Sequence, residues 1–310
     1  MATPLPQIAL MVEGQNGLNW QRWMNLARAA EDLGFVGLYR SDHFTNANPP
    51  DKDSLELWVS LTWLATHTQR LEFGPLVSPV SFRHPALTAR TAAAVDDLSG
   101  GRLTLGVGAG WQVREHTNFG FDLLELPERF TRFEEALHVL RALLHSEHPV
   151  EFQGAYYRLK DALLLPRPQR PGGPPLLIGG NGEKRTLPLV AHFADEWNAV
   201  YIPADEFNRL NTHLNHLLHA NHRNPASVRR SLMTGLVFAE NQADLNAQIR
   251  ARGSHLTAED LKKRGLIVGT PKDLPEQLAT LAAAGVQRVM LQWLNLEDLS
   301  GLQALARAVF

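Results

Sequence analysis

Short apolar runs alternate along this chain with longer stretches of helical period, the pattern of repeated parallel βα units. The first run is Ile8–Val12. After it, Asn19 can cap a helix in which Trp20, Trp23, Ala27, Ala30 and Leu33 form one apolar stripe, stopped by Gly34. Val36–Arg40 reads as a second strand, Leu55–Thr66 as a helix and Leu71–Val77 as a third strand. Pro85 suits the first turn of a helix that runs to Leu98, where Ser99-Gly100-Gly101 ends it. Leu103–Val107 is a fourth strand and Pro127–Leu144 an amphipathic helix.

Residues 146–175 break the rhythm. Val150–Gln153 and Tyr156–Leu159 around Gly154 suggest a small hairpin, and the prolines from Pro166 to Pro175 a stiff connector. The βα pattern then resumes. Leu176–Ile178, Glu196–Val200, Leu232–Phe238 and Arg288–Gln292 are strands five to eight. Helices fall at Lys184–Phe193, Asp205–Asn221, Asp273–Ala284 and near Leu299–Val309. Asn241–Arg264 is polar, charged and weakly periodic, and reads as a lid or insertion near the seventh strand. The pattern predicts an α/β fold: one (β/α)8 TIM barrel over residues 1–310, with insertions after strand 4 and strand 7. A doubly wound open sheet is the lesser reading.

Composition narrows the chemistry. With no cysteine among 310 residues, disulfides, thiolate metal sites and thiol nucleophiles are excluded. A formal charge of −2 predicts no nucleic-acid or anionic-membrane partner. No apolar run approaches a bilayer span, and the opening MATPLPQIALMVEG lacks the features of a secretory leader, so a cytoplasmic protein is expected. His213, His216, His219 and His222 recur at helical spacing, but without an arranged carboxylate they read as a solvated face, and no metal site is expected.

In such a barrel the active site lies where strands run into βα loops. Those positions hold Asp42-His43-Phe44 after strand 2, and Ser78, Ser81, Arg83 and His84 after strand 3. GVGAGW (Gly106–Trp111) and Glu115-His116 follow strand 4, and Gln292-Trp293 ends strand 8. After strand 5, Gly179-Gly180-Asn181-Gly182-Glu183-Lys184-Arg185 combines inward-pointing amides, a helix start near Glu183–Lys184 and two cations. That combination describes a phosphate cradle; the bland alternative is a tight turn with solvated basic residues. GVGAGW lacks the acidic residue a dinucleotide fingerprint needs on the following strand. Its glycines instead let a flat ring lie against backbone, with Trp111 as one wall. His43 beside Asp42 can donate a proton or serve a turn, and Glu115 can orient a substrate or pair with Arg83 or Arg114.

These segments, taken in order, resemble the luciferase-like monooxygenase superfamily, in its branch of deazaflavin-dependent oxidoreductases. The match is carried by SDHF at Ser41, by GPLVSPVSFRHPALTARTAAAVDDLSGGRLTLGVGAGW, and by Glu115-His116. ERFTRFEEAL, PLLIGGNGEKRTL, FADEWN, VGTPKDLPEQL and RVMLQW complete it. The resemblance implies a (β/α)8 barrel, commonly a homodimer, that binds coenzyme F420 or FMN across the barrel mouth. It implies His43 near the ring's reactive centre, with Glu115 as the second catalytic candidate. It places Asp42, Leu76, Ser78, Ala109 and Gly110 against the ring and its side chain, and Gly180, Asn181, Gly182, Glu183, Lys184 and Arg185 around a phosphate. Trp111, His116 and Trp293 would then line the substrate pocket. It further implies a non-prolyl cis peptide after strand 3, at Pro75–Leu76 or one residue away.

Two departures bear on substrate. Where sugar-phosphate dehydrogenases of this branch carry a catalytic glutamate, this chain has Trp111. Where they carry a tryptophan after the Asp-His pair, it reads Thr45-Asn46-Ala47-Asn48. The expectation is hydride transfer between F420 and a larger, flatter, less charged organic substrate. The rivals are an FMN-dependent monooxygenase and a non-catalytic flavin-binding protein.

Overall fold

The computed structural model describes residues 4–310. Its strands are β1 (Gln7–Val12), β2 (Gly37–Arg40), β3 (Glu72–Pro75), β4 (Ser78–Pro79), β5 (Leu105–Gly108), β6 (Val150–Gln153), β7 (Arg158–Ala162), β8 (Leu176–Gly179), β9 (Glu196–Val200), β10 (Arg229–Phe238), β11 (Ile267–Gly269) and β12 (Arg288–Gln292). The main sheet runs β3-β2-β1-β12-β10-β9-β8-β5-β4, with every pairing parallel. A parallel bridge from Phe73 to Leu103 joins β3 to the approach of β5 and closes the barrel. β3 and β4 are the two halves of the third strand, so the eight expected strands are present in the expected order. The peptide between the halves, Leu76–Val77, is cis, one residue beyond the expected Pro75–Leu76.

Strand alternation divides the core in two. On β1, Ile8, Leu10 and Val12 face outward into the layer beneath the helices. Ala9 and Met11 face inward, where they pack with Tyr39, Leu76, Leu177, Met233 and Met290 as a plug filling the barrel. Closure is tightest beside β3: a Cβ on Gly74 would lie 1.9 Å from the Thr104 carbonyl oxygen, and one on Gly106 2.1 Å from that of Pro75. At the base, the fully buried Arg288 reaches Glu72 at 2.9 Å and donates to the Tyr39 phenol at 2.7 Å and the Gln7 amide at 3.0 Å.

The helix Trp20–Asp32 begins as expected, with the Asn19 side chain accepting from the Arg22 amide. Three expectations need adjustment. The hairpin is real, but its second strand is Arg158–Ala162 instead of Tyr156–Leu159. The Glu135 carboxylate accepts from the amides of Ala155, Tyr156 and Tyr157, which holds those residues in the turn. The helix after β8 starts at Thr186 instead of near Glu183–Lys184: the Leu187 amide reaches back five residues to the Gly182 carbonyl, so the regular i to i−4 ladder does not run through residues 183–185. The 241–264 segment forms helices Gln242–Arg252 and Ala258–Lys263, and leads into β11, which pairs with the end of β10. Leu245, Ile249 and Leu261 pack there with Val237, Ala239 and Val268 as a private core.

Candidate active site

A cavity of about 450 Å³ opens at the C-terminal ends of the barrel strands, within the size range of small-molecule sites. Met11, Leu76 and Met233, the top of the barrel plug, floor it. Val77, Pro79 and Val200 extend that apolar surface, and Gly110, Gly179 and Gly180 present bare backbone. Gly110 has φ +86° and Gly180 φ +125°, conformations that L side chains seldom adopt. A Cβ on Gly110 would press on the Ser81 hydroxyl at 3.2 Å. The result is a largely apolar space edged by glycine backbone, which allows a ring to approach closely.

His43 stands on the loop after β2 and lines this cavity with Glu115 behind it. Its Nδ1 lies 2.8 Å from Glu115 Oε1, while Glu115 Oε2 accepts the Phe44 amide at 3.0 Å. Glu115 is fully buried. It sits in the helix Val113–Phe119, so two loops are locked by one carboxylate. The pairing leaves His43 Nε2 as the ring nitrogen available to the cavity. Burial alone would depress the His43 pKa; the hydrogen bond and charge of Glu115, with the fields of Glu13 and Asp42, outweigh it and hold the pKa above the ordinary value. Burial would raise the Glu115 pKa, but its bonds to His43, Gln112 and Phe44 hold it below the carboxylate norm. Trp111, well exposed, meets the His43 ring edge-on at 5.6 Å and walls the mouth.

Glu115 therefore pairs with neither Arg83 nor Arg114. Arg114 is taken by Asp51 at 2.6 Å, and Arg83 by Asp42 and Glu56. Asp42 and Ser78 lie behind the cavity wall, not on it: Asp42 accepts from Ser78 Oγ at 2.7 Å and from Arg83, bracing the His43 loop from below. Ala109 packs against the outer core. Two residues expected in the pocket are elsewhere. The His116 ring nitrogens bond the Gln112 carbonyl and Ser81 Oγ, both at 2.7 Å, and its ring packs on Phe82 behind Gly110. Trp293 points into the helix layer, since alternation on β12 sends Gln292 inward and Trp293 outward.

The glycine loop after β8 divides. Gly180 edges the cavity, and Asn181 ties the loop down by exchanging hydrogen bonds with the Val200 backbone at 2.7 and 2.9 Å. Gly182, Glu183, Lys184 and Arg185 line a separate open groove with Phe130, Leu126 and His213. Among the described residues, the amides of Glu183, Lys184 and Arg185 make no hydrogen bond. They, and not the helix that follows, are the donors an anion would meet. Arg185 lies over the Phe130 ring at 5.6 Å, and Glu183 is held by Arg209 at 2.8 Å.

Sequence reasoning missed the opposite side of the mouth. Glu13 after β1 and Tyr201 after β9 both line the cavity, with Asn198 and Ser41. Tyr201 takes φ +50°, a strained position for a bulky side chain. Burial, reinforced by the charge of Glu13, pushes its phenol pKa up to about 12. The signal available beforehand was position alone: both residues immediately follow a barrel strand.

The family's model, described as luciferase-like monooxygenase, matches residues 5–256, and the chain belongs to that family. An F420-dependent glucose-6-phosphate dehydrogenase of Kineococcus radiotolerans is 35% identical over 159 residues, which are 51% of this chain and 47% of the relative. The chain thus spans about half the length of the curated relatives it matches. Among solved structures, an F420-dependent secondary alcohol dehydrogenase bound to an F420-acetone adduct superimposes with TM-score 0.84 at 18% identity, covering 100% of this chain and 98% of that one. The monooxygenase RslO1 of Streptomyces bottropensis gives TM-score 0.81 at 19% identity, covering 98% of each chain. At such identities these likenesses establish the shared fold.

Proposed function

We propose that this chain is an oxidoreductase that uses coenzyme F420 as hydride carrier and acts on a small organic substrate at the barrel mouth. The observation that carries the reading is His43. Its Nδ1 is fixed by a buried carboxylate, and its other ring nitrogen is left to an apolar cavity edged by glycine backbone. Bound there, the deazaflavin would supply a carbon able to give or take hydride.

The chain's own residues divide the remaining work. Leu76, Val77 and Pro79 offer an apolar wall for the ring, while Gly110, Gly179 and Gly180 allow close approach from the edge. The loop 182–185, with free amides and two cations, suits a phosphate on the coenzyme's side chain. His43 Nε2 would hold the proton exchanged with the substrate oxygen as hydride moves, and Glu115 would fix the tautomer and stabilise the imidazolium. The names of the glucose-6-phosphate dehydrogenase relative and the secondary alcohol dehydrogenase neighbour support F420 over FMN.

The test is turnover. Purified protein would be assayed with oxidised and reduced F420 against a panel of neutral alcohols and ketones, following coenzyme absorbance. His43→Ala is expected to lower turnover about a hundredfold or more, with coenzyme affinity little changed. Undiminished turnover in that variant would remove His43 from the chemistry.

A further inference from the structure

We propose that Glu13, held by Gln292 and Tyr201, is the specificity element of the mouth: it selects neutral substrates that present an O–H or N–H donor and rejects anionic ones. The proposal rests on the oxidoreductase reading above and deepens it by naming the substrate class.

The first observation is the composition of the cavity wall. It contains two carboxylates, Glu13 and Glu115, and among the described residues no lysine or arginine. Glu115 is neutralised by His43 at 2.8 Å. Glu13 has no such partner: its contacts are amides, with Gln292 Nε2 donating to Oε1 at 2.7 Å and Gln15 Nε2 to Oε2 at 2.9 Å. Amide donors hold a carboxylate in place without cancelling its charge.

The second observation is how firmly this group is set. The Tyr201 phenol donates to Gln292 Oε1, which fixes the Gln292 amide with its donor end toward Glu13. On the other side, Ser41 Oγ donates to Gln15 Oε1 at 2.7 Å and accepts the Gly14 amide at 2.9 Å. A continuous chain of hydrogen bonds thus crosses the mouth from β9 through β12 and β1 to the end of β2. Each link orients the next, so the charge does not swing away when an anion enters. Arg252, on the helix Gln242–Arg252, is close enough for its charge to act on the Tyr201 phenol. Its guanidinium bonds the carbonyls of Gln248 and Leu236, and it does not line the cavity.

An anionic group placed beside Glu13 would meet a fixed like charge in a partly desolvated space whose wall carries no lysine or arginine to offset it. A hydroxyl or amine would instead find an acceptor. The glucose-6-phosphate dehydrogenase relative is named for a phosphorylated substrate, and this cavity wall offers that phosphate no lysine or arginine, its one imidazolium being matched by Glu115.

The experiment uses the F420-loaded protein and two probes of matched shape, 1-phenylethanol and 4-(1-hydroxyethyl)benzoate, with binding followed by tryptophan fluorescence. The wild type should bind the neutral alcohol about tenfold or more tightly than the carboxylate. Glu13→Gln should bring the two affinities together, while Glu13→Asp, which keeps the charge, should preserve the preference. Equal binding by the wild type, binding of neither probe, or a preference unchanged in Glu13→Gln at native-like melting temperature would each overturn the proposal. If F420 itself fails to bind, the oxidoreductase reading falls and this inference falls with it. If F420 binds and charge discrimination is absent, only this inference is lost.

Discussion

At the scale of residues, the site is organised around one buried pair. The His43 pKa is raised in the folded protein, so its contribution to stability is complete below the unfolded histidine value and is lost as pH rises through the folded one. The Glu115 pKa is lowered, so its contribution is complete above the unfolded carboxylate value and is lost as pH falls through the folded one. Between the two folded values both groups are charged and the His43 geometry is locked. Glu115→Gln removes the charge and keeps the shape. It should lower turnover by at least about tenfold, because the imidazolium loses its counter-charge. The limb of the pH–rate profile set by His43, basic for ketone reduction and acidic for alcohol oxidation, should also move to lower pH. A steady-state profile across the neutral range checks both, and an unmoved limb would show that Glu115 does not govern His43. His43, Trp111, Gly110 and Gly180 were legible in the sequence because each falls at a strand's end in a recognisable motif. Glu13 and Tyr201 carried no motif, and their meeting through Gln292 is a fact of barrel closure that no local pattern encodes. His116 and Trp293 misled for a related reason: a loop or strand end can turn either toward the mouth or toward the core.

At the scale of elements, strand periodicity read well where both neighbours are regular and poorly where polar side chains do the shaping. The hairpin register was hidden because Glu135, far away in sequence, captures the turn amides. The helix Gln242–Arg252 was missed as a helix because only Leu245 and Ile249 are buried on it, too few to mark a stripe. None of the residues 241–264 lines the cavity. The glycines of β3 and β5 make a sharper structural demand. A methyl at residue 74 would drive into the Thr104 carbonyl, and backbone on both sides of the barrel would have to part. Gly74→Ala should therefore destabilise the fold by about 2–3 kcal/mol. Urea denaturation would measure this, and a loss near zero would mean that β3 and β5 separate freely at their closing bridge.

At the scale of the whole molecule, the barrel is a stack of three zones. Arg288, Glu72 and Tyr39 close the base with charge and hydrogen bonds. The Met11–Leu177–Met290 plug fills the middle, and the plug's upper surface is the cavity floor. This architecture was the most legible level of all, because eight βα repeats leave few ways to bury eight apolar strands. The division of the glycine loop between cavity and groove was not legible, since it depends on where the helix after β8 begins. The mouth presents one largely apolar cavity and one oriented imidazole, with a basic loop in the groove beside it, an arrangement suited to a phosphate-bearing ring coenzyme. The most direct measurement is an anaerobic titration of the purified protein with oxidised and reduced F420 and, separately, with FMN, followed by absorbance and fluorescence. Saturable F420 binding with negligible FMN binding is the predicted result. Preference for FMN would contradict it and place the chain among the flavin-dependent monooxygenases, and binding of neither would leave the barrel without its coenzyme.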